Sequence, residues 1–196
     1  MPESIRVMIV EDDSDFTYLI RKAIDSQPDM EMIGFSTTKE QAVIMASQLS
    51  PDIVLMDLNL SFTNMDGIDT AKEICLSTKA KVIILTAFES PQIVIEASKK
   101  SFASGYVFKS QFELLVETIR ATAQGHTPQE QMIFSLILDG LTSAERAVLK
   151  NFFGHDRQLL SSQKTIANQK TVILRKLGLK SQKDLEKIFL AYQDYL

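Results

Sequence analysis

The sequence predicts an α/β unit built on a five-stranded parallel sheet, followed by a small all-helical unit. Three observations predict it. Short β-rich apolar runs alternate five times with amphipathic stretches over residues 1–125. After "QGHTPQ" (124–129) only helical periodicity remains. The charge balance changes sign at the same place: 11 Lys and Arg against 18 Asp and Glu in residues 1–125, then 10 against 7 in residues 126–196.

The strand runs are "IRVMIV" (5–10), "MEMIGF" (30–35), "DIVLMD" (52–57), "KVIILT" (81–86) and "SGYVF" (104–108). Their apolar content is nearly continuous, as in strands buried on both faces. Helical patterns lie between them near 15–27, 38–49, 67–78, 90–100 and 111–124. In the last, Phe112, Leu115, Val116, Ile119 and Thr122 follow the spacing of one helix face. Alternating strands and helices imply right-handed crossovers and few topologies, with the order 2-1-3-4-5 as the expectation. In the second part, helices are expected at 128–139, 142–153, a short turn near 156–160, then 162–176 and 182–194. Thr142 and Glu145 form a capping-box pattern, Ser161 and Ser162 are candidate caps, and Gly178 falls where a helix ends.

The 196 residues suffice for two small domains, and 45% of them are hydrophobic, which argues against disorder. No apolar run approaches the ~20 residues that span a bilayer. The start "MPESIRVMIV" does not read as a signal peptide. The single cysteine, Cys75, excludes an internal disulfide. Together these suggest a soluble, cytoplasmic protein without a membrane role. Cys75 and Met32, Met45, Met56 and Met65 read as packing, and His126 and His155 form no ligand set.

The acids point to chemistry. Glu11 and Asp12 follow the first strand and Asp57 closes the third. Ligands of open parallel sheets bind outside the carboxyl ends of the strands, and the expected order makes strands one and three neighbours. Clustered carboxylates repel one another unless a cation joins them, and hard oxygen ligands of this kind suit Mg²⁺. Thr86 ends strand four and Lys109 follows strand five, bringing a hydroxyl and an ammonium to the same crevice. The set suits phosphoryl transfer to a carboxylate. Asp57 would be the nucleophile, Lys109 a point-charge phosphate binder and Thr86 a hydrogen-bond partner of a phosphoryl oxygen. The plainer reading of "EDDSD" (11–15) is a solvated helix start, with Asp or Ser as N-cap. The joint placement of all five side chains at strand ends favours the site, and Asp13 takes the helix-start role.

"IVEDD", "IVLMD", "VIILTA" and "GYVFKS" stand in order within residues 4–124, which resemble the receiver domain of bacterial two-component response regulators. The resemblance implies a flavodoxin-like (βα)5 fold. It implies phosphorylation of Asp57 by a sensor histidine kinase, and Mg²⁺ held by Glu11, Asp12, Asp57 and the backbone carbonyl of Asn59. It makes Thr86 and Tyr106 the switch pair, with Tyr106 turning inward on phosphorylation. Two features depart from the family pattern: Ser61 replaces the usual proline, and Gly67 comes ten places after Asp57, later than usual.

In the second part, the 162–176 helix carries Gln163, Lys164, Asn168, Gln169, Lys170 and Thr171, with Ile166, Ile173 and Leu177 for a core. Amide and basic side chains on an exposed face suit recognition of a DNA major groove, although a solvated helix face has the same composition. "LTSAERAVL" and "KTIANQKTVILRKLGL" resemble the LuxR/NarL-type helix-turn-helix, which implies transcription control by promoter DNA binding, usually as a homodimer. The motif is short. Glu145 and Thr165 are 20 places apart, and Ala167 and Gln169 stand where the family commonly has Lys and His. The expected organisation is a receiver at 1–125, a linker helix at 126–140 and a helix-turn-helix domain at 141–196. The expected function is a non-enzymatic response regulator with Gln163, Lys164, Asn168, Lys170 and Thr171 as DNA contacts. The alternatives are a phosphorylation-dependent protein-interaction regulator that has lost specific DNA binding, and a phosphatase of the haloacid dehalogenase type. The latter wants an acid where Asn59 stands.

Overall fold

The computed structural model describes residues 4–60, 66–125, 127–153, 162–190 and 192. The chain divides into two compact units, Met1–Ile133 and Phe134–Leu196.

The first unit holds β1 (Ile5–Val10), β2 (Met30–Ser36), β3 (Ile53–Met56), β4 (Lys81–Thr86) and β5 (Gly105–Phe108) in one parallel sheet. Its order is β2-β1-β3-β4-β5, as the alternating pattern predicts. The register Val10↔Met56 aligns the carboxyl ends of β1 and β3, and β4 runs from Ile84, opposite Met56, on to Thr86. Alternate strand residues go to opposite faces. Val7, Ile9, Ile53, Leu55, Ile83, Leu85 and Val107 meet Ile20 and Ile24 of α1 (Ser14–Asp25) and Leu115 and Ile119 of α5 (Leu115–Gln124). Met8, Val10, Val54, Met56 and Val82 meet Ala42 and Ala46 of α2 (Lys39–Leu49) and Ala71 and Ile74 of α3 (Asp66–Ser77). Ile84 and Tyr106 cluster with Ala97 of α4 (Pro91–Ser101). Burial on both faces accounts for the unbroken apolar runs.

One expected helix is two elements. The stretch expected as a helix over 111–124 starts as a 3-10 turn at Lys109–Leu114, and Gln111 leaves helical geometry (φ −114°, ψ 40°) before α5 begins. The tighter turn leaves Lys109 at the strand ends while Leu115 and Ile119 face the core. Asp13 is the N-cap of α1, accepting from the backbone N–H of Asp15 and Phe16.

α6 (Pro128–Asp139) begins in the first unit and runs on past Ile133 into the second. The second unit adds α7 (Ser143–Phe152), α8 (Gln163–Leu177) and α9 (Gln182–Leu190). The Thr142/Glu145 capping box is formed, Ser162 caps α8, and Gly178 ends it in the left-handed conformation (φ 62°). Phe134 stacks on Tyr192 at 4.7 Å and meets Phe189 edge-on at 5.5 Å, and Val148, Leu149, Ile173 and Ile188 are also buried. The last helix, expected over 182–194, is described to Leu190. The turn expected at 156–160, and Ser61, Met65, His126, His155 and Ser161, lie outside the described residues.

Candidate functional site

The carboxylates gather where β1 and β3 end. The Asp57 N–H donates to the carbonyl of Val10 (2.9 Å) and the Glu11 N–H to that of Ser36 (3.0 Å). Strand pairing therefore continues through both acids and holds their side chains rigidly. Carboxylate oxygens of Glu11, Asp12 and Asp57 lie within 4.8 Å of one another, with Glu11 and Asp57 buried and Asp12 half-buried. Asn59, two residues past Asp57, is half-buried in the following loop. Lys109 Nζ sits 2.7 Å from Glu11 Oε2 and 3.0 Å from Asp57 Oδ2. The Phe16 ring covers that ammonium at 4.6 Å and meets Phe112 edge-on.

The charges are unequal, three acids to one ammonium. Burial raises the Glu11 carboxyl above its ordinary 4.5, and the Asp57 charge adds to this against the opposing pull of Lys109. Burial works against the charge of Lys109, but hydrogen bonds and charge from Glu11 and Asp57 outweigh it and hold the ammonium above 10.5. A dense, all-oxygen, excess-negative set with an open side at Asp12 fits a hard divalent cation such as Mg²⁺.

Gly67 explains how the lengthened loop still closes. A Cβ there would lie 2.0 Å from the Asp57 carbonyl oxygen and 2.6 Å from Leu58 Cα. Its N–H donates to the Leu58 carbonyl at 3.2 Å. α3 thus starts directly on the backbone of Asp57, and only glycine permits that approach. The Ser61 departure lies outside the described residues.

Thr86 and Tyr106 share a backbone. Thr86 Oγ1 accepts from the Phe88 N–H (3.3 Å), and the Tyr106 hydroxyl donates to the Phe88 carbonyl (3.2 Å). Tyr106 is only 8% exposed, so its ring is turned inward. Burial, with the nearby Asp57 charge, pushes its hydroxyl up to about 12. It is a neutral donor at physiological pH.

In the second unit, Gln163, Lys164, Asn168 and Thr171 are exposed along α8. Lys170, expected among them, departs from that face. It is half-buried, and its ammonium lies 4.3 Å above the Phe152 ring of α7. The reason is helical phase: Lys170 falls four residues after Ile166 and three before Ile173, within the stripe that packs on α7. Arg175 was not foreseen. It is exposed and continues the Lys164, Asn168, Thr171 row at three- and four-residue steps. That spacing is the signal that could have found it. Phe16 was also missed, its only sequence mark being an aromatic ring in an acid-rich helix start.

Residues 7–120 match the family profile described as "Response regulator receiver domain". The transcriptional regulatory protein LiaR of Bacillus subtilis (strain 168) is 33% identical over 150 residues, covering 74% of this chain and 68% of that protein. A protein-glutamate methylesterase/protein-glutamine glutaminase of Thermotoga maritima is 36% identical over 95 residues, covering 47% of this chain but 27% of that enzyme. Among solved structures, a LuxR-family two-component response regulator from Aurantimonas sp. SI85-9A1 superposes with a TM-score of 0.59 at 27% identity, covering 70% of this chain and 97% of that one.

Proposed function

Because this chain belongs to the response regulator receiver family, we propose that Asp57 is its phosphoacceptor and that the phosphoryl state of Asp57 governs its action on transcription. The protein is a two-component response regulator controlling transcription. The single observation that carries the site assignment is the carboxylate cluster at the aligned ends of β1 and β3, with Lys109 bound to it. The similarity to LiaR covers more residues than the first unit contains, so it reaches the helical unit. This favours transcription control over the interaction-only alternative. The methylesterase similarity is confined to a part of that enzyme of about receiver size and brings no catalytic domain with it.

The chemistry follows from the positions. An Asp57 carboxylate oxygen attacks the phosphorus of a kinase phosphohistidine. The P–O bond forms, the P–N bond breaks, and the imidazole leaves with its electron pair and takes up a proton. Glu11, Asp12 and Asp57, with the Asn59 carbonyl, would hold Mg²⁺, which when bound offsets charge on the transferring oxygens. Lys109 already touches Asp57 and binds the arriving phosphoryl oxygens as a point charge. Thr86, joined to Tyr106 through Phe88, turns its hydroxyl to the phosphoryl group, which makes the pair a bistable element biased by one charge change. The exposed row Gln163, Lys164, Asn168 and Thr171, extended by Arg175, contacts promoter DNA, with the protein acting in the cytoplasm as a homodimer when phosphorylated. Lys170 contributes mainly by holding α8 on Phe152. The linker helix joins a receiver ending near residue 125 to a DNA-binding domain beginning near 141. The test is phosphoryl uptake. With Mg²⁺ and a small phosphodonor, wild type gains one phosphoryl mass and Asp57→Asn gains none. Equal labelling of both refutes the assignment.

A further inference from the structure

The first turn of α6 makes an unusual contact with β5. β5 is an edge strand, and the outer N–H and C=O of Tyr106 have no strand beside them. The Gln129 side chain takes both. Its Oε1 accepts from the Tyr106 N–H (3.0 Å) and its Nε2 donates to the Tyr106 carbonyl (2.9 Å). One primary amide thus stands in for the missing strand at one residue, and that residue is the tyrosine whose hydroxyl reaches Phe88.

Three further observations belong to the same contact. Glu130, 3% exposed, forms an ion pair with Lys81 at the start of β4 (3.1 Å). Gly105 leaves the space the amide occupies, since a Cβ there would lie 3.2 Å from Gln129 Oε1. Thr122 Oγ1 is buried, makes no hydrogen bond, and lies 3.6 Å from that same Cβ position. Thr127 caps this turn, accepting from the Glu130 N–H (3.0 Å).

We infer that the β5 edge at Tyr106 is a docking site for the first turn of α6, latched by Gln129 and Glu130, and that phosphorylation of Asp57 tightens this latch through Tyr106. The inference rests on Asp57 as phosphoacceptor and Tyr106 as switch residue. In the structure an inward Tyr106 and a closed latch occur together. If the two states favour each other, coupling is reciprocal: whatever populates inward Tyr106 closes the latch by the same factor. Both amide bonds must keep their geometry at once, so a small shift of the β5 backbone breaks the pair. The helix that begins with this docked turn, α6, continues to Asp139. The plainer reading is a static cover for an exposed edge, which predicts protection without coupling.

The test is amide hydrogen exchange by NMR on the full chain, with and without Mg²⁺ and a small phosphodonor, with phosphoryl uptake followed by mass. In Gln129→Met, exchange at the Tyr106 N–H rises by about fivefold to thirtyfold, the range that one to two ordinary hydrogen bonds give. Amides of Ile9 and Leu55 stay protected, which shows that the sheet is intact. Gly105→Ala, which crowds the amide from the strand side, moves Tyr106 in the same direction. Phosphorylation of wild type slows exchange at Tyr106 and in the first turn of α6 several-fold, and leaves Asp57→Asn unchanged. Unaltered Tyr106 exchange in both Gln129→Met and Gly105→Ala overturns the latch. Confirmed phosphoryl uptake without slowed exchange overturns the coupling while sparing the assignment of Asp57. Absence of uptake in wild type overturns that assignment and the coupling with it, and the latch is then decided by the two variants.

Discussion

Lys109→Met tests the charge balance of the site. Among the described residues the ammonium is the one cation on the Glu11 and Asp57 carboxylates, at 2.7 and 3.0 Å, and both acids are almost wholly buried. Methionine keeps most of the stem beside Phe16 and removes the charge. Deleting one partner of a buried ion pair costs about 3–5 kcal/mol, because the remaining charge is left uncompensated. We expect a loss in that range for the unphosphorylated protein at pH 7 without Mg²⁺. The loss has a pH signature. The folded state holds the Glu11 carboxyl above its ordinary 4.5, so it binds that proton more tightly than the unfolded chain does. The stability tied to the proton is therefore present below 4.5 and falls as pH rises through the folded value. Removing Lys109 withdraws a lowering influence and widens this window, so the variant's deficit is small near pH 4 and full at pH 7. A divalent cation replaces the missing charge, and Mg²⁺ should restore more stability to the variant than it adds to wild type. Urea denaturation followed by circular dichroism, at both pH values and with and without Mg²⁺, measures all of this. A deficit under about 1 kcal/mol at pH 7, or equal deficits at both pH values, would refute the argument, since a buried charge left unpaired costs more than that.

Two further substitutions probe the loop and the helix. Gly67→Ala places a methyl 2.0 Å from the Asp57 carbonyl oxygen and 2.9 Å from its carbonyl carbon, backbone atoms with little room to yield. We expect about 1–3 kcal/mol of destabilisation from overpacking, with a matching fall in phosphoryl uptake. Unchanged uptake would show that Asp57 does not depend on this contact. In the second unit, Arg175→Ala should lower the slope of log affinity against log salt for DNA by about one, as loss of one phosphate contact does. Lys170→Ala should leave that slope nearly unchanged and instead weaken the packing of α8 on Phe152. The reverse pattern in a salt titration would restore Lys170 to the DNA face.

The parts of the site that were legible in sequence share one property: each follows from local periodicity plus a topological rule. Glu11, Asp57, Thr86 and Lys109 all mark the carboxyl end of a strand. A parallel sheet brings such ends to one edge, whatever the details of packing. The stretch at 111–114 is expected as the start of a helix because periodicity registers which residues face the core. Phe112 keeps helical spacing with Leu115 while Gln111 leaves the helical region. Lys170 differs in exposure from the residues it was grouped with. Its phase between Ile166 and Ile173 was on the page, but composition alone groups it with its polar neighbours. Gln129 lay beyond either kind of reading. No local pattern pairs a helix amide with a strand backbone 23 residues earlier, and Gly105 by itself looked like an ordinary strand start. The residues gathered at the candidate site are thus set by strand topology. Those that join β5 to α6 depend on side-chain approaches of about 3 Å, which only the folded geometry displays. A sequence change at Gln129 would therefore leave every motif of the proposed phosphoacceptor site intact while removing the contact between β5 and α6 on which the proposed coupling depends.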